Sequence, residues 1–339
     1  MRKLLGCLTI LLLLTASVPT LSFAAKLNFG HIAPTFHGLS KGIDVFADYV
    51  REKTNGKYDI ATFPMGQLGN ERSMASQVQS GSLQIAAITT AVLQNFVPEV
   101  AILDMPFLFP NRATAYAVLD DQAVKDKIFS YLPKKGFVGI GWVENEIRDF
   151  SNTKHPVRTP ADIKGLKVRV MNSPAYLDTF NQLGASTVGI PFPEVYSALQ
   201  TGVIDAQENP LMTAVLMKFP EVTKYVTNTQ HALTECIIIV NIDFWERLSP
   251  KEQQIFREAA NLATQTNRTR NAEIKQNLPK LNMSIEEYCK QHGVELVNLT
   301  PEEREAFRVA MTPVWDKYRG LIGDDIFDFM LAKIKEHKQ

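Results

Sequence analysis

The sequence predicts an α/β protein of two lobes, built on mainly parallel sheet with helices on its faces. Three observations carry this expectation. Short apolar strands alternate with helical stretches along most of the chain. One piece of the first half, Gln79-Ser80-Gly81-Ser82-Leu83-Gln84-Ile85-Ala86, is echoed by Gln200-Thr201-Gly202-Val203-Ile204-Asp205-Ala206, each a helix end, a glycine and a strand. A single helical pattern from Ser249 to about Asn277 is long enough, at ~1.5 Å per residue, to cross both lobes.

The elements follow in order. Leu27 to Ile32 reads as a short strand leading to Pro34. Leu39, Ile43, Phe46, Ala47 and Val50 recur at helical spacing, and Asn55-Gly56 stops that helix. Tyr58 to Phe63 is a second strand, Asn70 to Ser80 a helix ending at Gly81, and Leu83 to Ile88 a third strand. Gly136 to Gly141 is a further strand, and the chain changes lobe around Arg148. The second set is strand Leu166 to Met171, helices Pro174 to Leu183 and Pro193 to Gln200, and strand Val203 to Ala206. Cys236 to Val240 is strand again. Pro250 suits the first turn of the long helix, and Pro279 marks its end. From Pro301 onward the tail is amphipathic helix.

The amino terminus has the pattern of an export signal. Arg2 and Lys3 precede an apolar run from Leu4 to Leu14, and Ser22-Phe23-Ala24 or Phe23-Ala24-Ala25 offers small residues for cleavage. The run is short for a membrane span, and no other segment approaches ~20 apolar residues, so no stable membrane anchor is expected. Leu4-Leu5-Gly6-Cys7 resembles a lipoprotein box but precedes the apolar run instead of following it. Of 36 basic residues, Arg2 and Lys3 leave with the signal, so 34 stand against 36 acidic ones, a net charge of −2. That balance argues against nucleic acid or an anionic membrane as partner. The remaining chain of about 315 residues permits a large core split between two domains. Cys236 and Cys289 remain after cleavage; a buried free thiol is the favoured reading of Cys236 over a pair.

The candidate site centres on two stretches. After Gly202, a brief apolar strand runs into Gln207, Glu208 and Asn209, which are expected to leave the strand's carboxyl end, where α/β proteins bind ligands. Upstream, Lys167-Val168-Arg169-Val170 sets Arg169 inside an apolar strand; an arginine there needs an anion and can hold a carboxylate through two parallel hydrogen bonds. The alternative for Arg169 is a fold-holding pair with Asp or Glu. Arg148 lies where the lobes meet, as a further ligand group or as a hinge salt bridge. Asn209 precedes Pro210, so its backbone is held extended. Phe192, between two prolines, is core or the aromatic wall of a cleft. His31 and His37 are six residues apart with no third ligand, a weak metal pattern; His31 is better placed as a pocket hydrogen-bonding group. Gly38-Leu39-Ser40-Lys41-Gly42 fits a hydrolase elbow in letters, but about eight residues, including Pro34, part Ser40 from the preceding strand. Gly136-Phe137-Val138-Gly139-Ile140-Gly141 lacks the last glycine of a dinucleotide loop, and there is no phosphate loop and no His-Glu-x-x-His. No cofactor and no metal is expected.

Four blocks in order carry a resemblance: Gln67-Leu68-Gly69-Asn70-Glu71-Arg72, Met105-Pro106-Phe107-Leu108-Phe109, Gly165-Leu166-Lys167-Val168-Arg169-Val170, and Phe192-Pro193-Glu194-Val195-Tyr196 through Asn209-Pro210. They resemble the extracytoplasmic solute-binding proteins of TRAP (tripartite ATP-independent periplasmic) transporters, over essentially the whole chain beyond the signal. The resemblance implies a two-lobed periplasmic binding protein fold with a hinge and one long domain-spanning helix. The expected division is 26–145 plus 235–274 for lobe 1 and 146–234 plus 275–339 for lobe 2, after a signal at 1–25. It also implies an organic-acid ligand, delivered in the periplasm to TRAP membrane subunits for ion-gradient-driven import. The family's selectivity arginine falls on Arg169, a second arginine on Arg148, the cleft asparagine on Asn209 and the aromatic wall on Phe192. Other cleft positions fall on His31, Gln67 and Thr89, and Glu208 stands beside Asn209. Members that bind sialic acid carry an acidic residue where Thr89 stands and an asparagine where His31 stands, so the resemblance points here to a different, smaller acid. A binding module of another importer, or of a periplasmic sensor, is the second reading; an esterase built on Ser40 is the third.

Overall fold

The structure, a computed structural model, describes residues 24–338. The expected export signal and the Cys7 box fall almost wholly outside them. Among the described residues no helix is long and apolar enough to cross a membrane.

Nine strands join in one sheet among the described residues: β1 (Ala25–Gly30), β2 (Tyr58–Phe63), β3 (Ile85–Thr89), β4 (Phe137–Asn152), β5 (Lys167–Val170), β6 (Ser186–Gly189), β7 (Ala206–Asn209), β8 (Tyr225–Asn241) and β9 (Glu295–Val297). Their order is β2-β1-β3-β8-β4-β7-β5-β6, with β9 alongside β8. The two ends of this order match. β1 runs parallel to β2 and β3, and β3 is antiparallel to β8. β5 runs parallel to β6 and β7, and β7 is antiparallel to β4. The echoed glycine segments therefore lead into equivalent strands, β3 and β7, one in each lobe. Gly81 and Gly202 both take left-handed backbone (φ 81° and 73°), which ends a helix without the strain a side chain would bring.

β4 and β8 are longer than the sequence suggested, 16 and 17 residues instead of the short runs at Gly136–Gly141 and Cys236–Val240. They pair with each other from Phe137↔Asn241 to Asn152↔Tyr225, so each passes through both lobes. Register breaks at Gly139/Gly141, Glu144/Glu146 and Arg148/Phe150 hid them, because a bulge shifts the two-residue alternation. Glu146 and Gln230 sit at these irregularities with positive φ (84° and 48°), so both long strands bend there. β7 also differs from expectation. Val203 is exposed in the turn, and the strand comprises Ala206–Asn209 itself, so Gln207, Glu208 and Asn209 pair with β4 instead of leaving the strand.

Thirteen α-helices cover the sheet among the described residues: α1 (Gly38–Lys53), α2 (Glu71–Ser80), α3 (Thr90–Leu93), α4 (Arg112–Asp120), α5 (Gln122–Phe129), α6 (Pro174–Gln182), α7 (Val195–Gln200), α8 (Leu211–Leu216), α9 (Ile242–Glu246), α10 (Pro250–Gln276), α11 (Ile285–Gln291), α12 (Pro301–Ile322) and α13 (Asp324–Glu336). The 27 residues of α10 begin at a capping box in which the Ser249 side chain accepts from the Glu252 amide, and span ~40 Å. Its Phe256, Ala259 and Ala263 pack with Ile43 and Phe46 of α1 in the first lobe's core. Its far end delivers Ile274, with Leu278 beyond it, to a separate cluster with Met212, Val215 and Tyr288. Small residues let α1 approach: a Cβ on Gly42 would lie 2.5 Å from the Ala263 carbonyl oxygen. Cys236 and Cys289 are both free, buried thiols in different clusters. Ser40 lies inside α1, whose cap is the His37 ring, and not on a strand-to-helix elbow.

Candidate ligand-binding site

Arg169 is held by strand pairing on both sides, opposite Gln207 of β7 and Val188 of β6. Its side chain is 1% exposed. Nε donates to the Ile190 carbonyl at 2.8 Å, while Nη1 has no hydrogen-bond partner. Burial lowers its pKa to about 10; the Glu208 charge opposes that and the Arg148 charge adds to it. The guanidinium thus stays charged at neutral pH in a place where an unpaired charge is costly, which is the condition for holding an anion.

Two cavities of about 20 Å3 each lie against Arg169, with Ile32, Glu71, Met171 and Phe192 as common walls. Asn70, Arg72 and Asn172 complete one; Thr89, Asn145, Asn209 and Thr213 line the other. Walls from β1–α2–β3 face walls from β5 and β7, so the cavities mark the cleft between the lobes. A roomier cavity of about 350 Å3 opens beside the bend, between Arg112, Glu146, Lys275 and Ile285. Size favours it, but charge does not: Glu146 lies 2.6 Å from Arg112 and 2.7 Å from Lys275, so these cations are already paired. The cleft is the candidate site on that ground.

The structure gathers four of the eight expected residues, Arg169, Thr89, Phe192 and Asn209, around these cavities. It places the other four elsewhere. Arg148 and Glu208 are wholly buried and ion-paired behind Asn209. Arg148 Nη2 also donates to the Glu208 carbonyl at 2.7 Å and to Asn209 Oδ1 at 3.1 Å. The pairing has a physical cause: two charges this deep in the protein neutralise each other, so Arg148 has its own partner here. Burial pushes the Glu208 carboxyl up, but the Arg148 charge and His231 outweigh it and hold it below the usual range. His31 is buried with both ring nitrogens unpartnered, and burial lowers its pKa to about 4; it does not line the cavities. Gln67 is exposed in the turn before α2.

Asn209 is fixed from two sides. Its Nδ2 donates to Gln207 Oε1, while Oδ1 accepts from Arg148. Phe192 leans on Phe219, with ring centroids 6.1 Å apart. Glu71 is the residue that sequence reasoning passed over. It opens α2, is 8% exposed, lines both cavities and accepts the Thr89 backbone N–H at 2.8 Å. Burial raises its pKa, against the hydrogen bond from Thr89 and the charge of Arg169. The signal was present in the block Gln67 to Arg72, where an acid falls at the first turn of a helix otherwise buried through Met74, Ala75 and Val78.

Among the described residues, those lining the two cavities include no histidine, cysteine or serine. The cleft offers the guanidinium groups of Arg72 and Arg169, a carboxyl group, amides and hydroxyls, and an aromatic wall. One group of three potential metal ligands, Asp121, Glu336 and His337, comes together among the described residues, but Lys333 Nζ already sits 2.8 Å from Asp121.

Known proteins resemble the chain in sequence and in fold. The sequence profile of the bacterial extracellular solute-binding proteins, family 7, matches residues 29–320. The 2,3-diketo-L-gulonate-binding periplasmic protein YiaO of Escherichia coli is 35% identical over 297 residues, covering 87% of this chain and 88% of its own. A TRAP periplasmic solute-binding protein from Polaromonas, solved with D-erythronate, superposes with a TM-score of 0.83 at 31% identity, over 91% of this chain and 98% of its own. The sugar acid binding protein of Advenella mimigardefordensis, solved with galactonate, gives a TM-score of 0.86 at 30% identity, over 93% and 99%. The chain belongs to family 7 of the bacterial extracellular solute-binding proteins, the family of the TRAP transporter binding subunits.

Proposed function

We propose that this chain captures a hydroxy or oxo monocarboxylic acid between its lobes and hands it to TRAP membrane subunits for import. The observation that carries the reading is the Arg169 guanidinium: buried, charged, against the cleft, with Nη1 unpartnered. A ligand carboxylate supplies the missing acceptor through a charge-assisted hydrogen bond. Asn209 and Thr89 offer further hydrogen bonds, and Phe192 covers the apolar face of the ligand. Glu71 directs the choice among acids. A second carboxylate would meet its carboxyl group, whereas a ligand hydroxyl can donate to it. A monocarboxylate bearing hydroxyls therefore fits better than a dicarboxylate. The relatives named for diketogulonate, erythronate and galactonate binding support the same chemistry.

The two cavities are too small for such an acid, so it enters with the lobes further apart and they close on it. Arg148 and Glu208 act behind the site, holding Asn209 in place. Delivery in the periplasm is supported by the charged and apolar pattern of Arg2 to Leu14. The test is thermal melting of the chain from residue 26, unfolded and refolded to strip bound solute, with erythronate, galactonate and succinate. A ligand at ~100-fold its Kd adds about 2.7 kcal/mol, a shift of several degrees. The hydroxy acids are expected to shift the transition and succinate to leave it in place; a shift with succinate alone would overturn the monocarboxylate reading.

A further inference from the structure

Two amides at the end of α3 tie the first lobe to the second. Gln94 is buried and Asn95 exposed, and both reach the turn that starts α6. Gln94 Nε2 donates to Ser173 Oγ at 2.7 Å, and its Oε1 accepts the Ala175 backbone N–H at 3.3 Å. Ser173 is the cap of α6, accepting from the Tyr176 amide, so Gln94 provides a second acceptor for that helix's first turn from across the boundary. Asn95 Nδ2 donates to the Val92 carbonyl at 2.9 Å and to the Asn172 carbonyl at 2.8 Å.

We infer that Asn95 is the latch that holds the lobes closed, and Gln94 the pivot beside it. The inference rests on ligand capture between the lobes. Three facts assign the roles. The Gln94 contact is deep: Ala175 packs in the first lobe's own core, so this point stays joined when the lobes part. The Asn95 bond is at the surface, where water replaces it at little cost once the lobes separate. Each partner also continues directly into a cleft wall. Asn95 follows α3, whose cap Thr89 faces the cavity and is bonded to Glu71. Asn172 lines the neighbouring cavity and follows the segment of Arg169 and Met171. The latch thus joins the segment that meets a ligand's hydroxyls to the segment that meets its carboxylate, while Asn95 itself lines neither cavity.

A positioning residue of this kind acts on release rather than on encounter. Asn95→Asp keeps the shape, removes the donor and sets a carboxylate against the Asn172 carbonyl; Asn95→Ala removes the side chain. Rapid-mixing kinetics with galactonate and erythronate read both variants. Dissociation is expected to speed up about fivefold to tenfold, the worth of one hydrogen bond, with association within about twofold of wild type. The unliganded melting temperature should not move, which separates a latch from a merely structural contact. Unchanged dissociation in both variants would overturn the inference. If the unaltered chain captures neither acid, the hydroxy-acid reading fails on its own. The latch is then judged on whichever acid of a wider carboxylate panel shifts the melting of the unaltered chain: faster release of that acid from both variants supports it, and equal release overturns it.

Discussion

Arg148 and Glu208 face each other across β4 and β7 as an ion pair with no solvent exposure on either side chain. Their partners extend in both directions. His231 Nε2 lies 3.5 Å from the Glu208 carboxylate, the Tyr176 ring lies 5.6 Å from the guanidinium, and Asn209 carries the pair's influence to the cleft. Removing one charge leaves the other buried and unmatched. Glu208→Gln is therefore expected to cost about 3–5 kcal/mol of stability, read as a urea midpoint. Asn209→Ala at the cleft wall is expected to weaken ligand binding with a much smaller loss of stability. Equal stability losses for the two variants would contradict the division between a supporting pair and a binding wall.

Buried Asp104 gives the protein a pH dependence of definite sign. Burial raises its pKa to about 8, against a hydrogen bond from Thr90 Oγ1 at 2.8 Å and the charge of Arg148. The native state thus holds a proton that the unfolded chain gives up above about pH 4. The contribution of Asp104 is fully present below that value and is lost as pH rises towards 8. Asp104→Asn, which cannot ionise, should flatten the fall in stability between pH 5 and pH 8. Parallel urea titrations of both proteins at the two pH values check this; an unchanged slope would contradict it.

The contact between α1 and α10 depends on a missing side chain. The Cβ of a Gly42→Ala variant would lie 2.5 Å from the Ala263 carbonyl oxygen, a backbone atom that moves only with its helix. Alanine favours a helix by up to ~1 kcal/mol over glycine, but overpacking costs about 1–3 kcal/mol. The expected outcome is a net loss and a melting temperature lower by a few degrees. A rise would mean that α1 and α10 sit further apart than described.

Asn267 serves as the second brace of α10. Its Oδ1 accepts the Glu144 backbone N–H at 2.5 Å and its Nδ2 donates to the Glu144 carbonyl at 3.2 Å, beside the bulge in β4. Asn267→Leu strands both buried groups, at about 1–3 kcal/mol each. Hydrogen exchange at the Glu144 amide should quicken in that variant, and unaltered exchange would contradict the brace.

The sequence disclosed the elements whose local chemistry is complete. Asn70 before Glu71 and the left-handed Gly81 bound α2 as expected, and Ser249-Pro250 with Glu252 marked the start of α10. The repeated glycine turn also exposed the equivalence of β3 and β7. The sequence hid what depends on distant pairing. The bulges at Glu144 and Glu146 mask β4, whose polar residues are satisfied by α4 and α10, far along the chain. Arg169 and Arg148 look alike as buried strand arginines. They part only when Glu208 is seen to pair with Arg148 while Arg169 has no ion pair among the described residues, because two strands must be paired before a charge can be matched. His31 and Gln67 fell on cleft-bearing segments, but the positions that reach the cavity walls are Ile32 and Glu71, a difference of orientation that spacing does not record.

The most direct measurement is calorimetric titration of galactonate and erythronate into the stripped protein and its Arg169→Ala variant at neutral pH. Binding to the unaltered chain is expected, with a loss of roughly 30-fold or more in the variant, since the ligand's charge loses a desolvated partner worth about 2–5 kcal/mol. Binding of the same acid to Arg169→Ala within twofold of the unaltered chain would contradict the account.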